Sequence, residues 1–350
     1  MNLSPVRLEP TFSPRPWGSR SLRPYFSEMY NLAEPIGEAW MTGNQCRFAT
    51  GPWAGRKLAE AWPPLPPEWR GREINPSADF PLLVKFIFPQ EKLSVQVHPD
   101  DAYAARHEQA AGGRGKTEMW YAVDARPGAQ VLVGLKSSVT REEFTRAIGE
   151  GTAENCLEQI PMGRGDAVFV AAGTAHTIGP GLVLCEIQQN SDLTYRVYDY
   201  NRRDASGQAR PLHIEKALEV MRFGKQIGGK IEPVRIENGV VRVTLYAVCQ
   251  YFATENWTFA EPIETCSSRE RWELVIFLAG CGEIRWAAER ARYAPAEVWL
   301  IPAALGKFRL APDGDTSVLR TYVPGDLHQL KRDYAARGVN EEQWLRLLHA

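Results

Sequence analysis

The sequence predicts a strand-dominated protein built from two domains. Its 350 residues correspond to about two domains of roughly 150 residues each. It contains 29 glycines and 25 prolines, a share slightly above the usual one that favours many turns over long helices. Short apolar segments recur between these turn residues, and this pattern is typical of a β-sandwich or a β-barrel.

The first half of the chain contains the clearest strands. Residues 1–75 are rich in tryptophan, proline and glycine and predict irregular covering structure with short strands. The run FPLLVKFIF (80–88) is apolar and β-rich, whereas KLSVQVH (92–98) alternates strictly between apolar and polar residues. Further strands are predicted at 119–123, 130–135, 166–170 and 182–188.

A few peripheral helices accompany these strands. Thr140 followed by Glu143 is the pattern of a capping box, so we predict a helix over 139–149. Residues 212–223 predict a second helix. A glycine-containing boundary at 224–234 then divides the chain into domains 1–223 and 235–350.

The second domain repeats the short-strand pattern and ends in a helical segment. Turn signals separate its predicted strands, which again indicates a sandwich or barrel. The two halves could be two copies of one barrel type, although no repeat is visible in the sequence. The strands are predicted at 241–249, 257–259, 272–278, 282–286, 297–301, 307–310 and 317–322, and the terminal helix at 341–349.

Composition excludes several classes of function. The net charge of −1 argues against a basic surface for nucleic acid or for an anionic membrane. The N-terminus has no apolar signal-peptide core, and no run approaches the roughly 18 apolar residues of a membrane helix. The six cysteines are scattered without a CxxC, which indicates reduced, mostly buried thiols. We therefore expect a cytoplasmic protein, either a monomer or a weak homodimer.

A cluster of polar residues points to a metal site. Gln96 and His98 are two residues apart on a predicted strand, so their side chains leave the same face. That face could simply be exposed to solvent. Glu118 lies in GKTEMWY, and His176 follows a strand and a glycine-bearing turn in GDAVFVAAGTAH. Two imidazoles and a carboxylate are a common catalytic zinc set, with the remaining position open to an amide oxygen, water or substrate.

The motifs LSVQVHPDD, GKTEMWY, GDAVFVAAGTAH and EIQQNSDLTYRVYDYNR together resemble the type I mannose-6-phosphate isomerases, in their short bacterial form. The resemblance is clear over about residues 15–215, and the last third fits a divergent second barrel. It implies a cupin fold of two jelly-roll β-barrels, with the active site in the first. It also implies one zinc ion per chain, bound by Gln96, His98, Glu118 and His176.

The resemblance further implies which residues line the sugar-phosphate site. Those matching positions near the sugar are Lys116, Glu186 and Arg196, and those matching positions implicated in holding the phosphate are Lys85, Ser94 and Arg202. Isomerisation moves a proton between C2 and C1 through an enediol. It needs a polarised carbonyl and a base.

Each of these residues also has a structural interpretation. Glu186 is our choice of base, since burial among apolar neighbours can raise a carboxyl pKa toward neutrality, but it could instead form a structural ion pair. Lys116 is the competing proton carrier or a surface lysine. Arg196 could stabilise an enediolate or the phosphate, or pair with an aspartate. Lys85, in an apolar run, needs either an anionic ligand or a carboxylate partner.

The function predicted is therefore the interconversion of D-mannose 6-phosphate and D-fructose 6-phosphate by an enzyme with no macromolecular substrate. One alternative is a non-catalytic sugar-phosphate-binding protein of the same fold. Retention of every proposed ligand and proton-transfer residue argues against it. Another is a different cupin enzyme, such as an iron oxygenase with two histidines and a carboxylate, against which Gln96 and the motif NSDLTYRVYDYNR argue.

Overall fold

A computed structural model describes residues 3–72, 79–203, 207–224 and 228–349. The chain is 39% strand and 16% helix, which confirms the predicted dominance of β-structure. None of the helices in these described ranges has the length and apolar character needed to cross a membrane. Three residues of the predicted boundary, 225–227, lie outside the described residues.

The elements follow one another along the chain with short connections. The strands are β1 Val6–Glu9, β2 Thr11–Ser19, β3 Ile36–Trp40, β4 Arg47–Phe48, β5 Leu82–Ile87, β6 Val95–Val97, β7 Glu118–Ala125, β8 Gln130–Leu135, β9 Leu157–Pro161, β10 Ala167–Val170, β11 His176–Ile178, β12 Leu182–Gln189, β13 Tyr195–Tyr198, β14 Gly228–Lys230, β15 Val234–Asn238, β16 Val241–Val248, β17 Ala253–Phe259, β18 Ile263–Cys266, β19 Glu273–Ala279, β20 Gly282–Trp286, β21 Glu289–Tyr293, β22 Val298–Ile301, β23 Lys307–Pro312 and β24 Thr316–Tyr322. The α-helices are α1 Leu58–Ala61, α2 Pro67–Arg70, α3 Asp101–His107, α4 Arg141–Gly149, α5 Ile214–Val220, α6 Leu327–Ala336 and α7 Glu341–Leu347, with 3-10 turns at Gln109–Ala111 and Ala153–Cys156.

The chain forms two compact units. The central unit comprises Phe12–Ala39 and Leu83–Ile231, and the C-terminal unit comprises Met1–Thr11, Trp40–Leu82 and Glu232–Ala350. Two segments from the N-terminal part of the chain thus belong to the C-terminal unit, which the sequence did not predict. The division at 1–223 and 235–350 remains a prediction about function.

The central unit contains two antiparallel sheets. One has seven strands in the order β14-β10-β7-β12-β5-β3-β2, and the other has five in the order β13-β6-β11-β8-β9. The first sheet packs buried apolar side chains such as Trp120, Val168 and Leu184 into a core cluster. Strand β5 is buried at all six residues, as its continuous apolar run predicts.

Local signals explain the helices of this unit. The predicted helix over 139–149 is α4, and its capping box is present: the Glu143 N–H donates to Thr140 Oγ1 at 3.2 Å, and the Thr140 N–H donates to Glu143 Oε2 at 2.8 Å. Its apolar side packs Phe144 and Ile148 into a second core cluster. The predicted helix 212–223 is shorter, as α5, and α3 was not predicted.

The C-terminal unit is also built on two antiparallel sheets. One has eight strands in the order β15-β16-β17-β24-β19-β22-β1-β4, and the other has four in the order β18-β23-β20-β21. One apolar cluster, including Val275, Phe277 and Val318, is buried within this unit. The predicted strands of this region all appear, and the terminal helix is α7. The sequence analysis missed α6 and strands β15, β18 and β21.

The cysteines are all unpaired thiols, as predicted. Cys46, Cys185 and Cys249 are buried, but Cys266 and Cys281 are exposed. The expectation that most of them lie in the core therefore holds for only half of them.

Candidate active site

Three strands of the central unit bring the predicted metal ligands together. Gln96 lies on β6 with His98 just beyond it, Glu118 begins β7 and His176 begins β11. Antiparallel pairing of β6 with β11 places His176 directly opposite Gln96. The ligand atoms of His98, Glu118 and His176 all lie within 4.8 Å of one another, and all three side chains are buried.

The spacing of these atoms fits a small cation. His176 Nε2 lies 3.4 Å from Glu118 Oε1, and His98 Nε2 lies 3.6 Å from Glu118 Oε2. Ligands at about 2.1 Å from a tetrahedral zinc ion stand about 3.4 Å apart. Within the described part of the chain, neither oxygen of Glu118 accepts a hydrogen bond, although the residue is 0% exposed. A buried carboxylate in this state is suited to a cation.

Both histidines present the nitrogen that a metal requires. His98 Nδ1 lies 2.7 Å from the Leu193 carbonyl oxygen, and His176 Nδ1 lies 2.9 Å from that of Thr174. Donation from Nδ1 to these carbonyls leaves the Nε2 lone pairs directed at Glu118. Burial above all lowers the pKa of His176 to about 4, and burial together with the charge of Lys116 holds the pKa of His98 well below its ordinary value. Both imidazoles are therefore neutral at physiological pH.

The turn before His176 depends on glycine. Gly173 has a φ of +84°, and a Cβ at this position would lie 2.8 Å from the Val220 carbonyl oxygen. A side chain here would be both strained and too close to the backbone. The turn carries the Thr174 carbonyl that orients His176, so this glycine contributes to the position of the ligand.

Gln96 can supply a fourth ligand. Its Nε2 lies 3.3 Å from His176 Nε2, and the Ser94 hydroxyl donates to its Oε1 at 3.3 Å. The two ends of an amide have nearly the same shape, so a half-turn of the group places the oxygen beside His176. The predicted set of two histidines, a glutamate and an amide therefore converges on one point.

Lys116 belongs to this cluster and is not a surface lysine. It is 3% exposed, and its Nζ lies 2.7 Å from Glu118 Oε2 and 3.1 Å from His98 Nε2. One ammonium thus faces both a carboxylate and an imidazole. The cluster without a bound cation carries one negative and one positive charge, which keeps its burial affordable in free energy.

A cavity of about 400 Å³ in the central unit includes Gln96 and Lys116 in its lining. This volume falls within the range of sites for small molecules. Five basic side chains and three carboxylates contribute to it, which favours an anionic ligand with several hydroxyl groups. They are Arg15, Lys85, Lys116, Arg196 and Arg210, and Glu38, Glu186 and Asp192.

Glu186 and Lys85 form an ion pair in the wall of this cavity. Lys85 Nζ lies 3.4 Å from Glu186 Oε2 and 3.5 Å from Asp192 Oδ1. Burial lowers the pKa of Lys85, but the carboxylates, Glu186 foremost, outweigh burial and raise it. The carboxylate alternative for Lys85 is therefore the one that its contacts match. Glu186 Oε1 also accepts a hydrogen bond of 3.0 Å from the Trp120 indole.

Arg196 faces the cavity beside Ser94. Its Nε donates to Ser94 Oγ at 3.3 Å and its Nη1 to the Pro211 carbonyl at 3.1 Å. Burial, followed by the charge of Arg210, lowers its pKa. These two contacts leave other guanidinium donors of Arg196 available to a ligand.

Arg202 is placed differently from the other predicted phosphate ligands. It is not among the residues that line the cavity, and its guanidinium is held by Asp199 at 2.5 Å and by the Lys92 carbonyl at 2.6 Å. Arg210, which also binds Asp199 at 2.5 Å, does line the cavity, as does Arg15. The sequence analysis missed both, since a lone arginine in a loop has no spacing that distinguishes it.

Comparison with known proteins identifies the family. No protein-family profile matches the chain. The Bacillus subtilis protein named "Probable mannose-6-phosphate isomerase GmuF" is 36% identical over 314 residues, which cover 87% of this chain and 96% of the relative. The mannose-6-phosphate isomerase of Streptococcus mutans is 31% identical over 91% of this chain and 98% of its own length. The chain belongs to the mannose-6-phosphate isomerase family.

Solved structures agree with membership of the mannose-6-phosphate isomerase family. The crystal structure of the Bacillus subtilis mannose 6-phosphate isomerase matches with a TM-score of 0.82 and 29% identity, covering 91% of this chain and 99% of that one. A zinc-bound holo mannose 6-phosphate isomerase matches with a TM-score of 0.72 at 16% identity, which shows a shared fold. The resemblance read from the four motifs is thus confirmed.

Proposed function

We propose that the protein interconverts D-mannose 6-phosphate and D-fructose 6-phosphate. The observation that carries this proposal is the buried set of His98, Glu118 and His176, next to a cavity rich in basic side chains within the fold of an isomerase family. We propose that this set, completed by the amide oxygen of Gln96, holds one zinc ion per chain. The two neutral imidazoles and the carboxylate are ligands that zinc prefers.

The reaction moves one hydrogen from C2 to C1 of the sugar and one from O2 to O1. When bound, zinc supplies Lewis-acid polarisation of the sugar oxygens. Glu186 would take the C2 proton and return it to C1, since it is 4% exposed and lines the cavity. Its hydrogen bond from Trp120 and its ion pair with Lys85 hold the carboxylate in one orientation.

Two basic groups would assist this proton transfer. Lys116, beside Glu118 and His98, can pass a proton between the sugar oxygens because its ammonium lies in the cavity wall. Arg196 carries a positive charge at the cavity surface and would stabilise negative charge that develops on the enediolate. Which of Glu186 and Lys116 moves which proton is decided by the variants described below.

The phosphate would lie at the part of the cavity farther from the metal ligands. Of the predicted phosphate residues, Ser94 lines this cavity with an exposed face toward Arg196, whereas Lys85 is committed to two carboxylates. Arg210 and Arg15 add positive charge there. We therefore propose Ser94, Arg196 and Arg210 as the principal phosphate contacts, with Lys85 and Arg202 acting through their neighbours.

The C-terminal unit would have a structural role. Among the described residues, the grouping of His98, Glu118 and His176 is the only one of at least three potential ligands, and it lies in the central unit. We propose that the paired sheets of each unit form a cupin-like jelly-roll barrel. A cytoplasmic protein, active as a monomer or weak homodimer, is consistent with a sugar-phosphate substrate.

A coupled assay tests the proposed reaction. Fructose 6-phosphate formed from mannose 6-phosphate is measured on the protein as purified, after chelation and after zinc is restored. We expect chelation to abolish turnover and zinc to return it. No turnover in the folded, zinc-loaded protein would contradict the proposal and favour a sugar-phosphate-binding protein.

The Glu186→Gln variant tests the base. It should keep its zinc and lose about 10²- to 10⁴-fold in kcat, the usual contribution of a general base. Near-normal turnover would remove Glu186 from this role and leave Lys116 as the proton carrier.

A further inference from the structure

Trp120 connects the two halves of the proposed active site. Its side chain is 0% exposed and lies on β7, two residues after Glu118 and therefore on the same face of the strand. Its ring meets that of His176 edge to face, with centroids 5.3 Å apart. One indole thus contacts a proposed zinc ligand and, through its N–H, the proposed base Glu186.

The sheet holds this contact in place from both sides. Trp120 lies directly opposite Glu186 in the pairing of β7 with β12, and opposite Val168 in the pairing with β10. Directly opposed residues are the closest side-chain neighbours in a sheet. The hydrogen bond from Trp120 Nε1 to Glu186 Oε1, 3.0 Å long, therefore joins two side chains that the backbone register already fixes.

The chemistry of the indole suits it to hold a base. An indole N–H only donates, so it does not compete with Glu186 for a proton. The last torsion of a glutamate is broad and roughly two-fold, so the carboxylate needs a partner to fix its plane. Lys85 contacts the second oxygen, Oε2, at 3.4 Å. Together the indole and the ammonium assign a separate donor to each oxygen.

A comparison within the chain shows that burial of an indole does not by itself create such a contact. In the described residues, the indole nitrogens of Trp62, Trp69 and Trp272 are buried and have no hydrogen-bond acceptor. Trp120 instead donates to a carboxylate that lines the cavity.

We propose that Trp120 is a positioning residue for the isomerisation, acting through Glu186 by fixing the plane of its carboxylate. The inference rests on the proposed function, and specifically on Glu186 as the base. Small misplacements of a catalytic group can cost about 10²-fold in rate, so the hydrogen bond matters for turnover more than for binding.

The Trp120→Phe variant tests this role, because phenylalanine keeps an aromatic ring and removes the N–H. We expect kcat to fall about 10- to 100-fold, with KM for mannose 6-phosphate within about threefold of the normal value and zinc content unchanged. Val168→Ala is the matched control, since it removes volume beside Trp120 in the same core and leaves the N–H intact. We expect its kcat to stay within about threefold.

A double-mutant cycle separates action through Glu186 from a general effect of packing. If Trp120 acts through Glu186, then Trp120→Phe should lower kcat by less than about threefold in the Glu186→Gln background. A full further loss there, or an equal loss in Val168→Ala, overturns the inference while the proposed function stands. Normal turnover in Glu186→Gln alone overturns the base, and the inference with it.

A spectroscopic measurement remains available if Trp120→Phe does not fold. Selective ¹⁵N-indole labelling of the zinc-loaded protein gives one N–H resonance for each of the 11 tryptophans. We expect Glu186→Gln to move one strongly downfield indole resonance upfield, because a neutral amide is a weaker acceptor than a carboxylate. A spectrum in which no indole resonance moves overturns the inference.

Discussion

Replacement of Lys85 by methionine should destabilise the central unit strongly. Methionine has nearly the volume of lysine, so the change removes a charge and leaves the packing of β5 largely intact. Lys85 and Glu186 have side chains only 2% and 5% exposed, and their charged atoms are 3.4 Å apart. Loss of the ammonium leaves a buried carboxylate without its counter-charge. Breaking a buried pair in this way costs about 3–5 kcal/mol of the free energy of unfolding.

A surface pair in the same unit serves as the control. Lys92 and Glu154 lie 2.8 Å apart, but their side chains are 44% and 26% exposed. Lys92→Met should therefore cost only about 0–1 kcal/mol. Urea unfolding of both variants, followed by circular dichroism at saturating zinc, measures the difference. For a unit of this size the larger loss corresponds to a fall in Tm of roughly 6–20 °C.

The double variant Lys85→Met/Glu186→Gln identifies the cause of the loss. If the unpaired carboxylate is responsible, its conversion to a neutral amide should restore at least about 1 kcal/mol relative to Lys85→Met alone. A loss in Lys85→Met no larger than that in Lys92→Met, or no recovery in the double variant, would refute this reasoning.

Three further outcomes are expected. His176→Ala should lose zinc, measured by elemental analysis, and turnover together; normal activity in the metal-free variant would exclude the metal role. Arg210→Met should raise KM for mannose 6-phosphate about 10-fold or more, whereas Arg202→Met should raise it less, because only Arg210 lines the cavity; the reverse order would contradict our assignment. Burial lowers the pKa of His349 to about 4, so between pH 6.5 and 4 the unfolded chain binds the extra proton. Stability should then fall by up to about 3 kcal/mol as the pH drops through this window, and His349→Gln should lack that part of the fall in acid unfolding curves.

Sequence patterns predicted the parts of the molecule that depend on neighbouring residues. The capping box of Thr140 and Glu143 is complete within four residues, and it begins α4 as predicted. The apolar run around Lys85 predicted a buried strand, and the alternation around Gln96 predicted which side chains share a face. The motifs were specific enough to identify the family and to select the ligand set that the structure brings within 4.8 Å.

Elements without a local signal were missed or misplaced. Helix α6 has an N-cap at Asp326, whose side chain accepts from the His328 N–H, but it follows directly on a strand and was not predicted. The segment Trp40–Leu82 packs with the C-terminal unit, although it lies between strands of the central one. Assignment of a segment to a unit depends on contacts far along the chain, which composition does not reveal.

The sequence by itself determined the fold class, the family and the chemical identity of the site, because these depend on residue type, spacing and periodicity. Only the tertiary structure decided how the charges are paired. It assigned Lys85 to Glu186, placed Trp120 opposite that carboxylate and put Arg210, rather than Arg202, in the cavity wall. The periodicity of a strand determines which face a side chain occupies. The register between strands distant in sequence determines which partner it meets there.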